Sequence, residues 1–175
     1  YDGGSWSTVG SAAFSTGRVH APVLGFADDT VYVLTRDDGK GDGATLFKYT
    51  NCGATGWETV GTPSFSDTVY STSPFLDLAF DQSGLPYAAL QTEGAGSANT
   101  GSHVVVMKYT GLNWEEVADL GGGEMPSLIF DEDDNPVIAY QQNTSAGLPG
   151  KATVKKWDGN AFEAVGPTQF SPGNA

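Results

Sequence analysis

The chain has 175 residues, and its 21 Asp and Glu outnumber its 8 Lys and Arg, which gives a formal net charge of −13 at pH 7. So acidic a chain repels phosphate groups, which disfavours a nucleic-acid-binding role. No apolar run approaches the length of about 18 residues that a membrane-spanning helix needs. The 4 Trp, 7 Tyr and 9 Phe lie in regular apolar runs, which predicts a packed core rather than disorder.

Few lysines, abundant Ser, Thr and Gly and strong acidity favour a secreted protein, and so does a glycosylation tripeptide. The chain begins at Tyr1 without Met or a leader-like segment, so we expect a processed mature chain, a recombinant product or a piece of a longer one. Asn143 begins the tripeptide Asn-Thr-Ser, which predicts a glycosylation site. The single cysteine, Cys52, predicts an unpaired loop thiol, with an intermolecular disulfide as the alternative.

Four segments of the chain repeat one another. They begin at positions 6, 57, 114 and 162 and read WSTVG, WETVG, WEEVA and FEAVG. The dipeptide Phe-Ser follows three of them, at residues 14, 65 and 170, whereas the third copy continues as LGGG. We therefore divide the single domain, residues 1–175, into repeats of about 6–56, 57–113 and 114–161 and a partial repeat 162–175.

Each full repeat contains three further short elements rich in Val, Tyr, Phe and Thr and bounded by Gly, Pro, Asn or Asp, which is the signature of strands. They lie at residues 23–26, 31–34 and 44–49, at 76–81, 87–91 and 104–109, and at 127–131, 137–141 and 152–157. No window combines a 3.6-residue period with helix caps, so we expect almost no helix. Residues such as Leu128 and Ile129 put apolar side chains on both faces of a strand, which predicts sheets packed between other sheets.

Four short antiparallel strands in about 50 residues is the period of a β-propeller blade. The predicted fold is all-β, a β-propeller-like array of three four-stranded antiparallel blades plus one extra strand. A two-sheet sandwich or another array of β repeats is the alternative. The extra strand is residues 6–10, because a blade built from elements two to four and the first element of the next repeat leaves that segment over.

Residues 57–109 carry the repeat most fully, from WETVG through FS and LDLAFDQSGLPYAAL to VVVMKY. This pattern resembles a family of repeats in secreted bacterial and other microbial β-propeller proteins, and the resemblance covers nearly the whole chain. It implies a propeller-like fold in a non-catalytic extracellular scaffold or binding module. A shorter turn at residues 28–30 and the missing Phe-Ser of the third repeat imply uneven blades.

Three blades are fewer than the roughly 4–8 that close a propeller. A leftover strand and uncovered apolar faces need a partner. The chain is then a fragment of a longer polypeptide, half of a six-bladed ring of two copies, or one link of copies joined head to tail. We therefore expect partners that are further blades or the chain itself, and no isolated monomer.

The search for chemistry yields one weak candidate site. His20 and His103 lie in different elements, and neither has a nucleophile motif nearby, so we predict no catalytic residues. Asp131, Asp133 and Asp134 crowd one turn and offer oxygen ligands for calcium. The alternative is a solvated turn whose Asp side chains bond its own backbone. No other cofactor is predicted.

The recurring tryptophans are expected to be packing residues, with sugar-stacking platforms as the alternative. The function predicted from all this is a non-catalytic extracellular structural or assembly module, which self-associates or forms part of a larger surface structure or filament. A carbohydrate-binding, lectin-like propeller with one glycan site per blade is the alternative. A propeller hydrolase whose site is completed by a neighbouring chain is the third.

Overall fold

The computed structural model describes residues 3–69, 75–93, 101–143 and 150–172. Those residues form eleven β-strands and no helix, which confirms the all-β prediction. The strands are β1 Val19–Ala27, β2 Thr30–Asp37, β3 Ala44–Tyr49, β4 Trp57–Thr59, β5 Leu76–Phe80, β6 Pro86–Thr92, β7 His103–Tyr109, β8 Trp114–Phe130, β9 Pro136–Gln142, β10 Lys151–Trp157 and β11 Phe162–Ala164.

Antiparallel pairing arranges these strands into three groups of four. The first strand group is a sheet of order β1-β2-β3-β4, and the other strands form a seven-stranded sheet of order β11-β10-β9-β8-β7-β6-β5. The long strand β8 divides that sheet, because its first part pairs with β7 and its last part with β9. We call β5–β7 with the start of β8 the second strand group, and the end of β8 with β9–β11 the third.

Two predicted strands differ from the structure. Residues 6–10 do not form a strand, because no strand of the part of the chain described here offers them a backbone ladder. The elements predicted at 114–118 and 127–131 are one continuous strand, β8. In the third repeat LGGG replaces the loop that carries Phe-Ser in the other copies, so the backbone stays extended. Register shifts and a positive φ of 54° at Met125 take up the irregularity.

The core consists of two apolar layers on either side of the second strand group. Alternate residues of β7 divide between them: Val105 and Met107 pack toward the first group, and Val104 and Val106 toward the third. The strand pleat places successive side chains on opposite faces, so a sheet covered on both sides carries an unbroken apolar run. Burying each such side chain contributes about 1.5–3 kcal/mol. The expectation of sheets packed between sheets is confirmed for this group.

The repeated tryptophans link neighbouring repeats. The indole N–H of Trp57 donates to the carbonyl of Val9 at 3.1 Å, and its ring stacks on Phe14 at 4.3 Å. Trp114 makes the same two contacts one repeat later, with the carbonyl of Val60 at 2.8 Å and with the ring of Phe65 at 3.8 Å. These two tryptophans are packing residues in this structure, and the Val-Gly and Phe-Ser motifs are their binding surface.

A buried carboxylate fastens the segment before β1 to the first strand group. Asp37, fully buried, accepts backbone N–H groups from Thr16 at 3.0 Å, Gly17 at 2.8 Å and Gly39 at 2.9 Å. The Thr16 hydroxyl donates to it as well, at 3.3 Å. Gly17 and Gly39 approach so closely that a Cβ on Gly17 would lie 2.2 Å from the Gly39 nitrogen. The carboxylate therefore holds residues 16–17 in place.

We expect Asp37→Ala to lower the free energy of unfolding by about 2–4 kcal/mol, because three backbone donors lose a charged acceptor. Asp42→Ala is the matched control: Asp42 is an exposed partner of Arg36 in the same hairpin, and we expect its loss to cost less than about 1 kcal/mol. Urea unfolding of the two variants at neutral pH measures the difference. Equal effects would show that the Asp37 bonds contribute nothing.

Candidate functional site

A row of polar side chains crosses the second strand group. Tyr87 pairs with Lys108, and Lys108 pairs with Glu115, so the three lie side by side on one face of β6, β7 and β8. The matching rows are Tyr32, Lys48 and Glu58 in the first group, and Val137, Lys156 and Glu163 in the third. The sequence analysis missed these rows, although Lys before an aromatic residue and Glu after one occur in each of the three strand groups.

A cleft of about 380 Å³ lies between the second and third strand groups. The polar row forms one wall, and the β8–β9 turn and the end of β10 form the other. Its lining includes Tyr87, Lys108 and Glu115 on one side and Asp134, Asn135 and Trp157 on the other. The cleft therefore combines aromatic surface with an ammonium group, carboxylates and an amide.

The aromatic residues of the cleft are held by their neighbours. Tyr87 packs edge to face on Phe130 with ring centroids 4.9 Å apart, and Trp157 packs similarly on Phe162 at 5.2 Å. Burial raises the pKa of the Tyr87 hydroxyl, and the charges of Asp81 and Asp134 raise it further. This phenol is therefore protonated at neutral pH and able to donate a hydrogen bond.

The gap between the first and second strand groups has a different wall. Its polar row is present. When the repeats are aligned, however, Gly84 and Leu85 occupy the positions of Asp134 and Asn135. Tyr109 stands where the other gap has Trp157. The carboxylate and the amide of the turn are therefore particular to the cleft between the second and third groups.

The acidic turn after β8 is built mainly by its own carboxylates. Asp131 accepts the backbone N–H groups of Asp133 at 3.0 Å and Asn135 at 2.9 Å, and its other oxygen pairs with the Lys156 ammonium. Asp134 accepts the backbone N–H of Gln82 at 2.8 Å, which ties this turn to the second group. Within the described ranges no three Asp, Glu, His or Cys side chains are grouped as metal ligands. Calcium binding by Asp131, Asp133 and Asp134 stays a prediction.

The remaining candidate residues lie apart from one another. His20 pairs with Asp38 at 3.1 Å, and His103 pairs with Asp119 at 2.9 Å in another strand group. Cys52 is exposed and unpaired. Asn143 follows β9 and donates its backbone N–H to Gly122 at 3.0 Å; residues 144 and 145 of its sequon lie outside the described residues, and its glycosylation stays a prediction.

The geometry is similar to that of several solved structures. No family model and no curated protein matches the chain. Among solved structures, a mutant Aleuria aurantia lectin in complex with Fucα1-6GlcNAc superposes with a TM-score of 0.56 and 18% identity, over 87% of this chain and 47% of that one. A fucose lectin from Kordia zhangzhouensis in complex with methyl-fucoside gives 0.50 and 11%, over 86% and 97%.

An endo-1,4-β-xylanase from Bacteroides thetaiotaomicron gives a TM-score of 0.53 and 14% identity, over 92% of this chain and 58% of that one. The chain thus spans about half the length of the Aleuria lectin and nearly all of the Kordia lectin. At these identities the similarity shows the fold alone, and the fold is all-β and β-propeller-like. Over the ranges described above, no helix has the length and apolarity to cross a membrane.

The pKa of Asp131 is lowered, first by the hydrogen bond from Lys156 and next by the Asn135 backbone N–H. A lowered folded-state pKa stabilises the fold above the ordinary carboxyl pKa of about 3.9, and this contribution disappears as the pH falls through the lowered value. We expect Asp131→Asn to have a lower melting temperature than the wild type at neutral pH, and we expect this difference to become smaller in acid. Thermal melts followed by circular dichroism measure both melting temperatures. Asp133→Asn, which removes a neighbouring charge only, is the control. If the melting-temperature difference between Asp131→Asn and the wild type did not change with pH, the lowered pKa of Asp131 would not be its cause.

Proposed function

We propose that the protein is a carbohydrate-binding, propeller-like module and that its sugar site is the cleft between the second and third strand groups. The observation that carries the proposal is the composition of that cleft. A sugar offers hydroxyl groups that both donate and accept hydrogen bonds, and a C–H face that packs on an aromatic ring. Trp157 and Tyr87 supply the rings, Glu115 and Asp134 the acceptors, and Lys108 a donor.

The comparisons support a sugar ligand and suggest the first one to test. Two of the similar structures are fucose lectins with fucosides bound, and one of them is a chain of nearly this length. A fucoside presents a methyl group beside its hydroxyls, which suits a cleft with both aromatic and polar walls. We therefore take methyl-fucoside as the first probe of this cleft.

We further propose that each strand group is one propeller blade, so that the chain holds three, and that the protein is secreted. The support is the order of four antiparallel strands in each group and the sequence period of about 50 residues, both of which suit a blade. The exposed apolar faces of the end blades, described below, favour the assembly role as a second candidate function. In that role the protein is a module of a larger surface structure or filament.

Isothermal titration with methyl-fucoside tests the site. We expect Glu115→Gln to weaken binding about tenfold or more, because a charged hydrogen-bond acceptor is lost, and Trp157→Leu to weaken it through loss of the aromatic surface. Glu163→Gln, an exposed glutamate on β11 outside the cleft, is the control and should bind as the wild type does. Wild-type protein that binds neither this probe nor any glycan on an array refutes the proposal.

We also propose that the protein is not an enzyme. Among the described residues, both histidines lie outside the cleft, and each is paired with an Asp. Incubation with xylan, chosen because a xylanase shares the fold, should release no reducing ends above background. Sugar release that Glu115→Gln abolishes would instead establish a hydrolase in the same cleft.

A further inference from the structure

The first strand group exposes positions that its neighbours bury. Leu78 is 9% exposed and Leu128 is 3% exposed, whereas Leu24, which occupies the same place in the first group, is 73% exposed. Phe26 is 65% exposed, whereas its counterpart Phe80 packs into the core between the first two groups. We call the face of β1 that carries Pro22, Leu24 and Phe26 the near face. In the second and third groups the preceding strand group covers the corresponding face.

The third strand group exposes the complementary surface. Met125 is 50% exposed and Ile129 is 60% exposed, and Ser127 between them is exposed too. We call the face of β8 that carries these three residues the far face; beside it lies a mostly apolar hollow of about 330 Å³, lined by Met125, Ser127, Ala139 and Tyr140 among others. The counterpart of Ile129 in the first group is Gly25, where an added Cβ would lie 2.6 Å from a methyl carbon of Leu78 of the next group. A group that covers Ile129 therefore lies farther from the far face at this position than the second group lies from Gly25.

The chain uses this pair of faces twice internally. Tyr32 of the first group packs on Phe80 of the second, and Tyr87 of the second packs on Phe130 of the third, each with ring centroids 4.9 Å apart. In the third group the position of these tyrosines is Val137, and in the first group the position of these phenylalanines is Phe26. The two positions that a third contact at this place would use, Val137 and Phe26, belong to opposite ends of the molecule.

We propose that a second copy of this chain covers the far face with its near face, so that Leu24 and Phe26 of one copy pack against Ile129 and Val137 of the other. The contact is head to tail, and it closes into a ring or continues as a filament. It names the partner for the assembly role proposed above, and it is independent of sugar binding.

The segment before β1, which carries Phe14, and the tail after β11, which carries Phe170, are equivalent by sequence. The proposed contact has room for only one of them. The tail repeats the bonds of the segment after β4: Val165 N–H donates to Val154 at 2.9 Å as Val60 does to Leu46 at 2.8 Å. Phe170, the counterpart of Phe14 and Phe65, is 53% exposed. Its place on the next copy, against Trp57, is already taken by that copy's own Phe14. Residues 16–17 anchor Phe14 through Asp37, so the tail stays outside the contact.

Sedimentation of the full chain over a wide concentration range tests the contact. High ionic strength suits the assay, because each copy carries a formal charge of −13 and salt screens their repulsion. We expect species heavier than the 18.2 kDa monomer. Leu24→Asp and Ile129→Asp should each weaken association at least about tenfold, because the contact would bury an unpaired charge. Leu112→Asp, at an 81% exposed site outside both faces, is the matched control and should associate normally.

Mixing the two disrupted variants tests the polarity of the contact. A Leu24→Asp copy keeps an intact far face and an Ile129→Asp copy an intact near face, so the mixture should form a dimer that neither variant forms alone. Both variants should still bind methyl-fucoside if the wild type does, because the cleft is elsewhere, and Phe170→Ala should associate normally.

Three results would overturn the inference. If the wild type were a monomer at every concentration, a second copy would not cover these faces, and strands of a longer polypeptide would be the alternative. Association that survives both Asp substitutions would place the contact between copies elsewhere. Association that depends on Phe170 and not on Leu24 would assign it to the tail.

Discussion

The whole structure depends on the fact that each strand group is apolar on both faces. The second group shows the consequence, since alternate residues of β7 enter two different core layers. A strand group on its own would expose apolar side chains to water on both faces, so it needs a neighbour on each side. The same requirement applies to the exposed Leu24 and Ile129 at the two ends, so the packing within the chain and the proposed contact between copies have one cause.

The tryptophan contacts show how a repeat is joined to the next one. Where a repeat offers Val-Gly and Phe-Ser, the next repeat has a tryptophan that bonds the valine carbonyl and stacks on the phenylalanine. The third repeat lacks Phe-Ser, and the fourth copy begins with Phe162, whose side chain has no N–H to donate. The phenylalanine of one repeat and the tryptophan of the next are thus absent together, and in the third repeat the continuous strand β8 takes the place of the Phe-Ser loop.

The candidate site arises where the repeat varies. The polar rows run across every strand group in the same register, so they form a constant frame. The turn before each third strand differs, and only one of the two gaps between groups has Asp134 and Asn135 opposite the row. A fold whose backbone is set by repeated packing residues can change its turns at little cost to stability, because turns lie at the surface. This is how a structural repeat can acquire one particular cleft.

The sequence by itself determined the strands and their grouping into repeats. The element at 44–49 matches β3 to the residue, and others differ by a few residues at their ends, because strand patterning and turn residues are local properties of the chain. Only the tertiary structure decided that residues 6–10 lack a ladder, that Asp37 fastens a segment about 20 residues away, and that Tyr87, Lys108 and Glu115 share a row. Each of these depends on which distant strands meet and in which register, and the pattern within a single strand does not specify its partner or the register.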